Sequence, residues 1–239
     1  MAYETSMTQK FVGSVGLSPS RAAMIRKTYL LLGLSILAAV SGAIIGSTNE
    51  TVLGFFFNSG WIAWIVAMVL LNVIPMIAMA CRHNPVLGTL CLILDGLVAG
   101  LVLGPAIFIA MQLSAPGLAG NIVFQASIIT LLIFAAVTAV IFISGKHYSA
   151  PKGLMFGMFI AITGAVCLSF FFPGGIFGII ISAAIGIFGV LILIYSTSGV
   201  IHDPSVDSPI MGALMIFAGL FSVFQAVLHL LLAFASSGD

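Results

Sequence analysis

Residues 86–112 read VLGTLCLILDGLVAGLVLGPAIFIAMQ, a continuous apolar run that contains a single charged side chain, Asp95. About 20 apolar residues are enough for a helix to cross the hydrocarbon core of a bilayer. The rest of the chain has the same character, because 62% of its 239 residues are hydrophobic and 5% are charged. Soluble domains carry about 25% charged residues. The sequence therefore predicts an all-α, polytopic membrane protein.

Breaks at polar and Gly/Pro-rich segments divide the chain into seven predicted transmembrane helices. Residues 1–28 then form a polar N-terminal tail, 29–234 a seven-helix transmembrane domain, and 235–239 a short C-terminal tail. A cleavable signal peptide is the less favoured interpretation, because the polar leader is long and the first apolar run continues to Ile45. The predicted spans lie near 29–46, 61–80, 86–112, 122–143, 153–172, 176–199 and 209–234.

The basic residues predict the orientation of these spans. Every Lys and Arg lies in the N-terminal tail or on alternate connections, and such segments face the cytoplasm by the positive-inside rule. The N-terminus is therefore predicted to be cytoplasmic. The linker 200–208, on the same predicted face, carries Asp203 and Asp207 without a cation, but acids count little in the rule. The seven basic residues are Lys10, Arg21, Arg26, Lys27, Arg82, Lys146 and Lys152.

Small residues recur four positions apart, most clearly at Gly96, Gly100 and Gly104 in the third span. On a helix this spacing clears one face, so that a neighbouring backbone can approach closely. Packing within the bundle is favoured over a dimer interface as the reason. The third span is therefore predicted to lie inside the bundle.

Several classes of function have no support in the sequence. Intramembrane proteolysis needs paired carboxylates, a Ser/His pair or His-Glu-x-x-His, and none is present, so no catalytic residue is expected. The three cysteines lack Cys-x-x-Cys spacing or histidines placed for a metal, so no cofactor or metal site is expected. With a net charge of +1 and no basic cluster, nucleic acid is not an expected partner.

Three segments carry a resemblance to a known family. Residues 96–105 read GLVAGLVLGP, residues 193–203 read LIYSTSGVIHD, and residues 212–231 read GALMIFAGLFSVFQAVLHLL. They are similar to the glycine-rich helix, the Ile-Tyr-Asp-Thr signature and the Ala-Leu-Ser-Leu-Tyr-Leu-Asp helix of the Bax inhibitor family (the transmembrane Bax inhibitor motif group). The resemblance implies a central last helix wrapped by six others. It also implies the activity of several members of the family, a pH-sensitive cation pathway that leaks calcium.

The resemblance also implies a site that this chain lacks. In the family, one aspartate on each of the last two helices shares a proton near the cytoplasmic mouth, with an arginine nearby. The arginine falls on Arg82, but the aspartates fall on Ser196 and Gly219. Two close carboxylates in a low dielectric titrate as a coupled pair, which a hydroxyl and a glycine cannot do. We therefore predict that this chain lacks the family's di-aspartate latch.

Asp95 is the deepest acid in the chain, roughly 10 Å along the third span from its cytoplasmic side. An isolated carboxylate at that depth costs about 2.5–3.5 kcal/mol on insertion scales. One hypothesis pairs Asp95 with Arg82 in place of the lost acids, with a cation pathway passing Asp95. The other is a neutral Asp95 that fixes packing. Tyr195, Ser196, Thr197 and Ser198 form a polar strip that either lines a wet vestibule or bonds back to the preceding turn.

The favoured function is a calcium or other cation leak in the bilayer, with Ca²⁺ as a permeant ion rather than a cofactor. The alternative is a non-conducting regulator that binds other membrane proteins, such as a membrane protease, in stress or cell-death responses. A secondary transporter is a weaker third possibility, because few ionisable groups lie inside the spans. The short tails favour a bacterial cytoplasmic membrane over the endoplasmic reticulum.

Overall fold

The computed structural model describes residues 19–114, 121–145, 147–148 and 176–236, and the regular elements in these ranges are all helices. The predicted span at 153–172 lies outside the described residues, as do residues 1–18 and 237–239. The helices are α1 (Pro19–Thr48), α2 (Glu50–Asn58), α3 (Trp61–Ala80), α4 (Pro85–Leu113), α5 (Ile122–Ser144), α6 (Ile176–His202) and α7 (Pro209–Ser236).

All of these helices except the short α2 are long and apolar enough to cross a membrane. They coincide with six of the predicted spans, and α3 has the predicted bounds of 61 and 80. The prediction of an all-helical, multi-span membrane protein is confirmed. The spans could be predicted because the length of an apolar run is a local property of the sequence and does not depend on which helices pack together.

The first helix begins ten residues before the predicted span. Residues 19–28, assigned to the polar tail from sequence, form the opening turns of α1. Pro19 suits a first turn, where no backbone donor is needed. Ile25 and Thr28 are buried against the bundle, so this part of α1 is held by packing although it also carries three basic residues.

Asparagine side chains begin three of the helices. Asn49, Asn84 and Asn121 each accept hydrogen bonds from backbone N–H groups in the first turn of α2, α4 and α5. Capping satisfies donors that have no partner inside the helix, and the loss of such a cap typically costs about 1 kcal/mol. The cap at Asn49 explains α2, a helix that hydropathy alone does not indicate.

Helices α1 and α4 run parallel and touch backbone to backbone. A Cβ atom added to Gly100 would overlap the carbonyl oxygen of Ala39, and one added to Gly96 would overlap that of Ser35. One added to Gly104 would meet the backbone of Gly46. The small residues of the third span thus serve packing within the bundle, as predicted, and α1 is the partner that the sequence did not identify.

Helix α7 contacts each of the other five long helices, which agrees with a central last helix in the described part of the bundle. It packs most closely on α6, and the two run antiparallel. Gly189 lies against Val223, Gly219 against Leu193, and Gly212 against Val200. Tyr148, just after α5, donates its backbone N–H to Ser198 near the end of α6. Helices α5 and α6 therefore end on the same side of the bundle.

Candidate functional site

One side of the bundle holds all the Lys and Arg residues among those described. This side, here called the basic end, comprises the start of α1, the α3–α4 connection, the ends of α5 and α6, and the α6–α7 connection. Arg21 and Arg82 both reach the α6–α7 connection, so α1 and α4 meet the last two helices here. By the positive-inside rule, the basic end is the predicted cytoplasmic face.

Arg21 binds the C-terminal end of α6. Its guanidinium donates to the carbonyl oxygens of Gly199 at 2.9 Å, Val206 at 3.1 Å, Ile201 at 3.4 Å and Asp203. The last carbonyls of a helix have no intrahelical partner and carry a partial negative charge, so a cation there is stabilising. Sequence reasoning missed this role, because nothing local to Arg21 indicates a partner about 180 positions away.

Arg21→Ala is expected to lower the free energy of unfolding by about 1.5–3 kcal/mol, the usual contribution of hydrogen bonds to a charged group. Loss of the guanidinium also removes the side-chain donor shared by carbonyl groups of α6 and of the α6–α7 connection. The melting temperature of purified protein in detergent measures the effect. Arg26→Ala, which removes an exposed cation one turn further along α1, is the control. Equal melting temperatures for the two variants would contradict the assigned role.

Arg82 is paired with Asp207 rather than with Asp95. Its Nε lies 3.4 Å from the Asp207 carboxylate, and Ser208 donates its hydroxyl to the Arg82 backbone carbonyl at 2.8 Å. The hypothesis of an Asp95–Arg82 pair is therefore wrong in this structure. The reason is distance, because Asp95 lies about 15 Å along α4 from its first residue, whereas Asp207 lies at the basic end beside Arg82. His83 is 4.0 Å from the same carboxylate.

Asp203 follows α6 and is the other acid of the basic end. Hydrogen bonds from the Ser205 backbone and side chain lower the pKa of Asp203, and the charges of His147 and Arg21 act in the same direction. A carboxyl group with a lowered pKa stays ionised at neutral pH. Asp203 therefore does not replace the titrating pair that the family resemblance implies.

At the two positions of the family aspartates, α6 and α7 are in close contact. The Ser196 side chain is 1% exposed, and its hydroxyl lies between the carbonyl oxygens of Ile192 and, at 3.1 Å, Met215 on α7. It thus bonds back to the preceding turn, one of the two predicted interpretations. A Cβ on Gly219 would lie 2.9 Å from the Leu193 backbone nitrogen. Position 219 therefore leaves no space for a side chain without movement of α6, and position 196 offers an added carboxylate only carbonyl oxygens.

The other residues of the polar strip on α6 differ in burial and in hydrogen bonding. Thr197 and Ser198 are fully buried, whereas Tyr195 is partly exposed. The Ser198 hydroxyl accepts the Tyr148 backbone N–H at 2.8 Å, which holds the end of α5 against α6. The Thr197 hydroxyl is buried without a hydrogen-bond partner in the described part of the chain.

Asp95 lies inside the bundle on the face of α4 that also carries Leu92 and Ala99, and it is 5% exposed. Within the described ranges it makes no hydrogen bond or ion pair. Ser35 of α1 lies against Gly96, the next residue of α4. The hydroxyl groups of Ser35 and Thr28, two turns apart on α1, are buried without partners among the described residues. We call Thr28, Ser35, Asp95 and Thr197 the interior polar set.

Comparison with known proteins places this arrangement in a family. The family profile described as "Inhibitor of apoptosis-promoting Bax1" matches residues 21–236, a range that includes the described helices except the first two residues of α1. An uncharacterized protein of Campylobacter jejuni is 27% identical over 219 residues, 92% of each chain. One of Neisseria meningitidis is 26% identical over 215 residues, 90% of this chain and 92% of its own. One of Pasteurella multocida is 30% identical over 122 residues, 51% of this chain and 53% of its own. With its matching motifs at 96–105, 193–203 and 212–231, the chain belongs to the Bax inhibitor family of membrane proteins.

Proposed function

We propose that this protein is a cation leak pathway, with calcium among the permeant ions, and that the ions pass Asp95. The observation that carries the proposal is the interior polar set, a buried carboxylate and three buried hydroxyls without partners in the described part of the chain. Buried polar groups almost always have a partner in the protein, in ordered water or in a bound ion. Water molecules or cations inside the bundle would supply the partners that these groups lack.

A passing cation would also lower the free-energy cost of the Asp95 carboxylate inside the membrane. A carboxylate at membrane depth costs about 2.5–3.5 kcal/mol unless it faces water or a cation. Arg82 would lie at the cytoplasmic mouth beside Asp207, with Tyr195 and Thr197 on the α6 side of the route. Ser196, which bonds within the contact between α6 and α7, would not line it. Since Ser196 and Gly219 replace the family aspartates, the pathway would work without a shared-proton latch.

Asp95→Asn tests the route directly, because it removes the charge while keeping the size of the side chain. We expect calcium flux into proteoliposomes to fall at least roughly tenfold, the change that corresponds to about 1.4 kcal/mol of lost cation stabilisation. Glu50→Gln, an exposed acid on α2, is the matched control and should leave the flux unchanged. Equal flux for Asp95→Asn and the parent chain would exclude Asp95 from conduction.

A second candidate function is a non-conducting regulator that binds other membrane proteins, such as a membrane protease. The observation that favours it is Asn72, which is exposed in the apolar helix α3. Its side-chain nitrogen donates to the Met68 carbonyl at 2.7 Å, and its oxygen has no partner among the described residues. A polar side chain in hydrocarbon is stabilised by a hydrogen bond to another helix. Absence of calcium flux from the parent protein, across the pH range in which carboxylates and histidines titrate, would favour this function.

The relatives also bear on localisation. The Campylobacter and Neisseria proteins that match this chain over nine-tenths of its length are bacterial. Together with the six long apolar helices, they support our proposal that the protein lies in a bacterial cytoplasmic membrane.

A further inference from the structure

A cavity of about 540 Å³ lies at the basic end of the bundle. It is an open depression between α1, the α3–α4 connection and the start of α7. Lys27 and His83 are exposed at its edge, while Ser208 and Ile210 are buried at its base. Arg82 and Asp207 in its wall are also placed at the mouth of the proposed route, whereas Lys27 and Leu30 have no part in that route and call for a separate explanation.

The cavity carries an excess of positive charge. Lys27 and Arg82 contribute two cations, and Asp207 contributes one anion. Arg82 can donate five N–H groups, yet within the described ranges its guanidinium meets only the Asp207 carboxylate, at 3.4 Å through Nε. Its Nε is buried without a hydrogen bond of good geometry among these residues. Lys27 makes no ion pair in the described part of the chain. Donors are therefore available for an anionic ligand.

The apolar part of the cavity continues along the outside of the bundle. Leu30, which lines the cavity, is 66% exposed. Leu34 and Leu37 follow it at helical spacing on the same face of α1, and both are exposed. A free inorganic anion would leave this apolar stripe unused. A molecule with an anionic head and a hydrocarbon chain would contact both parts.

We propose that this cavity binds an anionic phospholipid of the leaflet at the basic end. Its phosphate lies between Lys27 and Arg82, and an acyl chain runs along Leu30, Leu34 and Leu37. Basic pockets between transmembrane helices at the cytoplasmic face are the sites that suit anionic head groups. The proposal concerns a surface of the bundle and does not depend on whether the protein conducts ions.

Native mass spectrometry of the purified full-length protein tests the proposal. The protein is incubated with phosphatidylglycerol or with phosphatidylcholine of the same acyl chains. We expect retained phosphatidylglycerol and little phosphatidylcholine. Lys27→Gln should weaken the retention about fivefold, the effect of one cation near a membrane surface, and Lys27→Glu should weaken it more. Arg26→Gln removes the adjacent cation, which does not line the cavity, and should leave retention unchanged.

Four results would overturn the proposal. Equal retention of the two lipids would show that the charge of the head group does not determine binding. Equal weakening by Arg26→Gln and Lys27→Gln would mean that the lipid is held by general attraction to the basic surface and not in the cavity. Displacement of phosphatidylglycerol by millimolar inorganic phosphate alone would identify the ligand as a free anion. Binding that occurs only after deletion of residues 1–18 would mean that the chain's own tail occupies the cavity.

Discussion

Gly100→Val is expected to prevent the bundle from folding into its native arrangement. At this position of α4, even the first side-chain atom would overlap the carbonyl oxygen of Ala39 and lie 2.7 Å from the Ala43 backbone nitrogen. Both neighbours are backbone atoms of α1, so no side-chain rotation relieves the overlap. The two helices must separate along their whole contact, which also includes Gly42, Gly46 and Gly104.

The expected loss in the free energy of unfolding is more than about 3 kcal/mol. Overpacking against side chains typically costs about 1–3 kcal/mol, and an overlap with a rigid helix backbone exceeds that range. In a membrane the hydrophobic effect does not drive helices together, so α1 and α4 depend on close van der Waals contact. Separation of the two helices removes that contact without a compensating gain.

Gly33→Val is the matched control for this prediction. Gly33 is a helical glycine of α1 with nothing within 4 Å of an added Cβ, and the same side chain is introduced. Melting temperature and the monodisperse fraction on size-exclusion chromatography in detergent report the outcome. Gly33→Val should behave like the parent protein, whereas Gly100→Val should aggregate or melt far lower. Similar behaviour of the two variants would show that the glycine contact does not hold α1 to α4.

The spans could be predicted closely because each one depends on its own composition. The segment 61–80 illustrates this, since α3 begins at Trp61 and ends at Ala80. The start of α1 could not be predicted in the same way, because residues 19–28 include Arg21, Arg26 and Lys27 and form no continuous apolar run. They are helical through contacts that Ile25 and Thr28 make with distant parts of the chain.

Contacts between helices account for the errors at the candidate site. The sequence identified Arg82 and Asp95 as the charged residues to consider and paired them, since they are close along the chain. The structure pairs Arg82 with Asp207, which lies on another connection. The role of Arg21 was harder still to predict, because its partners are backbone carbonyls at the end of α6 and just after it, which no side chain in the sequence indicates.

The family resemblance correctly directed attention to Ser196 and Gly219, but it treated them only as missing acids. Their contacts show in addition that α6 and α7 pack directly against each other at this level. Val200 and Val223 lie against glycines of the facing helix on either side of it. The aspartate pair is therefore excluded by the close approach of α6 and α7 as well as by the identity of the two residues.

Restoring both family acids, with Ser196→Asp and Gly219→Asp together, is therefore expected to destabilise the protein rather than to create a proton latch. At position 219 the new Cβ would lie 2.9 Å from the Leu193 backbone nitrogen and 2.9 Å from the Leu193 side chain. At position 196 a carboxylate would face the carbonyl oxygens of Ile192 and Met215, which accept the serine hydroxyl proton and cannot donate to an anion.

The combined effect should exceed about 5 kcal/mol. Each carboxylate costs about 2.5–3.5 kcal/mol at membrane depth, and the overlap at Gly219 adds about 1–3 kcal/mol. Domains are commonly stable by only about 5–15 kcal/mol, so most of the variant should fail to fold. Melting temperature in detergent, followed by calcium flux across a pH series for any folded fraction, measures both consequences.

Two further variants separate the causes of this loss. Gly219→Ala introduces the steric overlap without a charge and should lower the melting temperature by itself. Gly178→Asp introduces the same carboxylate on α6 at a position where an added Cβ meets nothing within 4 Å, and should be tolerated better. A double-aspartate protein that melts like its parent and gains a pH-dependent calcium flux would contradict the argument. In that case the helices would separate readily, and the close contact of α6 with α7 would not be what excludes a shared proton from this member of the family.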